Sequence, residues 1–185
     1  MSAPTLSLAQ ACAQMQLSAP ACAQLRTPMA PQAAVSALLA SGHGEDAIKL
    51  LARLLPKRYA VAWLCQCVRG ETLDEEDRAG AALAEKWVRE PSEAHRRAAQ
   101  AFAHAGDYVS LGAWLAAAVA WSGGSLALPH QATPVPPADH LTARAVAAAI
   151  TLLAAREPAQ LEARRSGYAA HAMELLTSVG RHEAA

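Results

Sequence analysis

Cysteine, histidine and serine are the residue types in this chain that could carry out chemistry, and their spacing is informative. Gly123-Gly124-Ser125 has the outline of a nucleophile turn. A serine elbow, however, needs G-x-S-x-G between a strand and a helix, and here Ala127 ends the pattern. Cys65 and Cys67 lie two residues apart on an apolar segment. On a helix they would point about 200° apart, which suits neither a shared metal nor a mutual disulfide. Cys12 and Cys22 complete the set of four cysteines, and no C-x-x-C occurs. All four are expected to be buried free thiols, as in a reducing compartment. The seven histidines are scattered, H-E-x-x-H is absent, and His171-x-x-Glu174 is a reversed and solitary version of the helical di-iron pair. The expectation is no catalytic set, no metal and no cofactor.

Two polar clusters remain. Glu93, Arg96, Arg97, Gln100 and His104 recur at helical spacing and read first as a solvated helix face, with a recognition face as the alternative. Trp121, Ser122, Gly123, Gly124 and Ser125 end one apolar helix, and His140 and Arg144 stand one turn apart at the start of the next. This stretch reads either as a helix cap followed by a packed crossover or as a small-residue groove. In the second case those seven residues form a partner-binding surface. Trp63, Trp87, Trp114 and Trp121 all fall on apolar helices. Trp63 and Trp114 are expected to be core anchors that supply bulk among alanines.

The elements that would position these residues are helical. About a quarter of the residues are alanine, the strongest helix former, while residues suited to strands are sparse. Gly42, Pro56, Gly70, Pro91, Gly106, Gly123 and Pro158 punctuate the chain. The pattern predicts an all-α single domain of seven to eight helices in αα-hairpins over residues 31–180, preceded by a variable segment 1–30. Ser7 to Gln16 could form a short helix there, and Pro20, Pro28 and Pro31 break the next stretch into turns. The segment Tyr108 to Trp121 is apolar on all sides and should be the hub. Residues 123–137 carry four prolines and read as an ordered strap, held down by Leu126, Leu128 and Val135. Asp139 is expected to cap the helix beginning near His140.

Sixteen basic residues balance sixteen acidic ones, so the chain lacks the charge that a nucleic-acid backbone selects. No apolar run reaches the roughly 20 residues of a bilayer span, and the start of the chain does not read as a signal peptide. A cytoplasmic protein without membrane insertion is expected.

Three stretches carry a family resemblance. The first is Asp46-Ala-Ile-Lys-Leu-Leu-Ala-Arg-Leu-Leu-Pro-Lys-Arg58 with Ala62-Trp63 and Cys65-x-Cys67. The second is Trp87-Val-Arg-Glu-Pro-Ser-Glu93 with Arg96-Arg97-Ala98-Ala99. The third is Trp121-Ser-Gly-Gly-Ser-Leu-Ala127 with Pro136-Pro137 and His140-Leu-Thr-Ala-Arg-Ala-Val146. Together they resemble an uncharacterised family of cytoplasmic proteins from Gram-negative bacteria, whose genes often lie beside those for type VI secretion. The resemblance implies protein partners, secretion-system components among them, and supplies no catalytic residues. The resulting expectation is a non-enzymatic adaptor or chaperone-like protein. The alternative is a small-molecule binder or enzyme with its site near Trp121, Ser125, His140 and Arg144.

Overall fold

The structure is a computed structural model that describes residues 6–26, 28–127, 131 and 133–183. Its helices are α1 (Leu8–Met15), α2 (Ala19–Gln24), α3 (Pro31–Ala40), α4 (Gly44–Leu54), α5 (Lys57–Val68), α6 (Glu75–Arg89), α7 (Glu93–Ala105), α8 (Leu111–Ala120), α9 (Leu141–Ala155) and α10 (Leu161–Glu183). A single 3-10 turn, Pro158–Gln160, leads into α10. No strand occurs among the described residues, and the fold is all-α, as the composition predicts.

Side-chain caps set several of the helix starts. Ser7 and Gln10 form a reciprocal capping box on α1, and Ser18, Asp74, Ser92 and Ser110 each accept a backbone N–H at the start of α2, α6, α7 and α8. Each cap satisfies a donor that the first helical turn leaves unpaired. The α2 helix departs from the turns expected there. Pro20 falls in its first turn, where a missing N–H costs nothing, so the proline admits the helix instead of breaking it. Asp46 of α4 holds this segment down, accepting from Ser18 N at 2.9 Å and from Ser18 Oγ at 2.8 Å. Asp139 does not cap α9. His140 holds the cap position without a side-chain bond, and the Asp139 carboxylate pairs with Lys57 Nζ at 3.3 Å.

The hub is α8, which packs against α6, α7 and α9. Leu111, Ala113, Leu115, Ala116, Ala117, Ala118, Val119 and Ala120 are all buried, and their small side chains let three neighbours approach closely. Asp77 of α6 is buried beside α8, accepts from Gly112 N at 2.7 Å and is paired with Arg156. Trp63 is fully buried and donates from Nε1 to Tyr168 O of α10 at 2.9 Å. Trp114 differs from expectation. It is half-buried, packed against the edge of the core and forming part of a groove wall.

Candidate partner-binding surface

The side chain that organises this region is Arg96, whose spacing predicts a place on a solvated face. It is instead 3% exposed, because it shares the inner face of α7 with Ala99 and Ala103. Its guanidinium is saturated. Nε and Nη2 donate to the two carboxylate oxygens of Glu93 at 2.6 and 2.7 Å. Nη1 donates to Ala120 O at 2.8 Å and Gln100 Oε1 at 3.2 Å, and Nη2 reaches Ser125 O at 3.4 Å. One planar cation thus joins α7, the end of α8 and the start of the strap. Arg97 Nη1 adds a bond to Ala127 O at 3.0 Å, and Gln100 Nε2 one to Leu126 O at 3.1 Å. Bonding to Arg96, and next to Arg97, holds the Glu93 carboxyl down at about 2.

The strap is described at residues 123–127, 131 and 133–137; Leu128 and Pro129 of the expected strap lie outside the described residues. Its two ends are tied together. Leu126 N donates to Val135 O at 2.8 Å, and Ser125 Oγ accepts from Ala127 N at 3.1 Å and Val135 N at 2.9 Å. Ser125 is thus the knot of the strap. Gly124 has φ +63°, and a Cβ there would lie 2.6 Å from Arg96 Nε, so both backbone and neighbour require glycine. Val135, expected to bury, is 49% exposed and contributes through its backbone.

The sequence-derived site residues separate into three places. Ser122, Gly123, Gly124 and Ser125 follow α8, with Ser122 O accepting from Lys57 Nζ at 3.2 Å. Trp121 turns to an aromatic cluster, stacked on Tyr108 at 5.7 Å and edge-on to Trp114 at 6.0 Å. Arg144 reaches the other way, donating from Nε to Gln14 O of α1 at 2.8 Å, while Arg53 donates to Gln14 Oε1 at 2.7 Å. Partial burial, then the charges of Arg144 and Arg53, lower the His140 pKa.

Two grooves flank the aromatic cluster. The first, about 450 Å³, lies among α1, α4, α8 and α9, with Trp114, Lys49, Arg144 and Leu152 on its walls. The second, about 410 Å³, lies between α7 and the strap; Ala101, Ala105, Tyr108 and Leu126 form its apolar surface, with Arg97, Gln100 and His104 also lining it. The turn that carries its Tyr108 wall is unusual. Asp107 and Tyr108 have φ 45° and 58°, a left-handed conformation that a bulky residue seldom adopts. The next residue, Val109, is 78% exposed.

No group of His, Cys, Asp and Glu that could hold a metal occurs among the described residues. Burial pushes the Cys65 and Cys67 thiols up to about 12. Cys12 and Cys22, expected to be buried, are only half-buried. No helix among the described residues is long and apolar enough to cross a membrane.

An all-helical domain with a cation-pinned strap and two open grooves is the class of protein defined here. Residues 34–176 match the family described as Family of unknown function (DUF6931), and the chain belongs to that family. No curated protein and no solved structure matches the chain.

Proposed function

We propose that this protein is a non-enzymatic helical adaptor that seats a helix of a partner protein in the groove between α7 and the strap. The carrying observation is the construction of that groove. Ala101 and Ala105 are exposed one turn apart on α7, leaving room for a partner backbone, and Tyr108 and Leu126 wall the space they leave. Arg97 and His104 provide N–H donors beside the groove, so the matching helix carries an apolar stripe flanked by a carboxylate. The buried Arg96 ties supply rigidity, which lowers the ordering cost of binding. Neither groove is lined by Trp121, Ser125, His140 and Arg144 together, which favours a partner surface over a shared pocket. A partner within a type VI secretion assembly, in a bacterial cytoplasm, is the reading that the family resemblance adds.

The test is a tagged capture from the source organism with mass spectrometry, comparing wild type, Ala101→Arg and the pair His140→Ala, Arg144→Ala. The identified partner is then purified, and its footprint on the chain is mapped by hydrogen exchange. Loss of the partner in Ala101→Arg, at unchanged melting temperature and with protection over α7 and Leu126, supports the reading. A partner retained by Ala101→Arg and lost in the double variant moves the surface to the α9 side and ends this proposal.

A further inference from the structure

The α1–α2 hairpin precedes the family-matched stretch and brings together two cysteines that are far from Cys65 and Cys67. Cys12 sits on α1 and Cys22 on α2, both are half-buried, and both line one groove with Leu8, Leu17 and Leu25. Leu17 links them. Its N–H donates to Cys12 O at 3.1 Å, and its carbonyl accepts from Cys22 Sγ at 3.8 Å. The two thiols thus stand on either side of Leu17, on walls of the same groove. Cys65 and Cys67, by contrast, are buried and share one helix.

We infer that Cys12 and Cys22 are a modification site, a dithiol that a small-molecule disulfide of the glutathione class oxidises reversibly to an intramolecular disulfide. Burial, then the neighbouring Cys22, raises the Cys12 thiol pKa, which makes Cys12 the slower of the two to open the exchange. The Cys22 thiolate attacks one sulfur of the small disulfide, forming a mixed disulfide and releasing one small thiolate. Cys12 then loses its proton to solvent, and its sulfur attacks Cys22 Sγ and expels the second small thiolate. Two protein thiols give up two electrons and two protons, one Sγ–Sγ bond forms, and the small disulfide is reduced to two thiols. The bond would staple α1 to α2, the hairpin that Asp46 holds through Ser18 and that Arg53 and Arg144 hold through Gln14.

The experiment uses the full chain, reduced and then equilibrated in mixtures of oxidised and reduced glutathione, acid-quenched, alkylated and mapped by mass spectrometry. The expected product is a Cys12–Cys22 link with both buried cysteines alkylated only after denaturation, returning to the dithiol as reduced glutathione is raised. Cys12→Ser should instead stop at a stable glutathione adduct on Cys22. The oxidised form should resist proteolysis within residues 8–24 by about tenfold relative to the reduced form. A wild-type chain that stops at a Cys22 adduct, links through Cys65 or Cys67, or does not react overturns the inference. None of these readouts depends on a partner, so the adaptor reading stands or falls separately.

Discussion

Gly112 lies against Gly80 so closely that a Cβ added to Gly80 would stand 2.2 Å from the Gly112 carbonyl oxygen. A Cβ on Gly112 would be equally misplaced, 2.5 Å from Glu76 O. The atoms in the way are backbone, so no rotamer change relieves the clash and α6 and α8 must separate. That would also stretch the bond from Gly112 N to the buried Asp77 carboxylate. Gly80→Ala and Gly112→Ala should each lower stability by about 3 kcal/mol or more, at the upper end of overpacking losses. Urea unfolding measures this, and an unshifted midpoint would show that the two helices do not cross here in solution.

The tryptophans should divide. Trp63→Ala removes a fully buried indole together with its bond to Tyr168 O, a loss of about 3–5 kcal/mol. Trp114→Ala removes a half-buried ring at a groove wall and should lower the melting temperature by much less. Equal losses in the two variants would mean that Trp114 is a core anchor after all.

Arg96→Ala strips Ala120 O and Ser125 O of their donor and leaves the strap tied to α7 through Arg97 and Gln100 alone. The expected loss is about 3 kcal/mol, the scale of a buried charge-assisted bond with an orphaned acceptor. Limited proteolysis between residues 122 and 137 should be faster in the variant than in the wild-type chain. An unchanged cleavage rate would show that the remaining ties, such as Leu126 N to Val135 O and Arg97 to Ala127 O, suffice.

Acid should weaken the same node. The Glu93 carboxyl is depressed to about 2 in the folded chain from an ordinary 4.5, so its stabilising contribution is complete above pH ~4.5. It fades as the pH falls from there towards 2. Glu93 is largely exposed, so solvent screening keeps the effect modest. Glu93→Gln should flatten the pH dependence of stability across that window, leaving less to lose on acidification. A variant as acid-sensitive as wild type would assign the loss to other carboxylates.

Arg144→Ala should free the N-terminal hairpin without unfolding the domain. Gln14 would keep only Arg53, and Ser18 its bonds to Asp46. Amide exchange over residues 8–24 should accelerate while that of α8 is unchanged.

Much of the helical plan is legible in the sequence because it depends on local signals. Proline, glycine and capping side chains mark helix ends through backbone geometry alone, and the apolar periodicity of α4 identifies its inner face. The features that escape such a reading depend on tertiary partners. Arg96 carries a charge, so by type it belongs outside; only its register with Ala99 and Ala103, set against Glu93 and Gln100 on the same helix, hints at burial. Trp114 is apolar, so by type it belongs inside, yet it is only half-buried at a groove wall. The helix α2 is hidden because Pro20 reads as a breaker until Ser18 is recognised as its cap. Ser125 and Arg144 read as neighbours on one surface. The chain instead commits Ser125 to closing the strap and Arg144 to α1, over a sequence distance of 130 residues that no local pattern encodes.

Tyr108, Trp114 and Trp121 touch one another, and each groove takes one of their rings as a wall: Trp114 in the first, Tyr108 in the second. With Trp121 against both, the three chromophores form a coupled optical unit. Excitation of Tyr108 should pass to the indoles, and their mutual orientation should give the near-ultraviolet circular dichroism an exciton signature. Anything that enters either groove and tilts one ring should change that spectrum, with no label attached. The protein therefore carries an intrinsic gauge of occupancy, readable before the identity of any occupant is known.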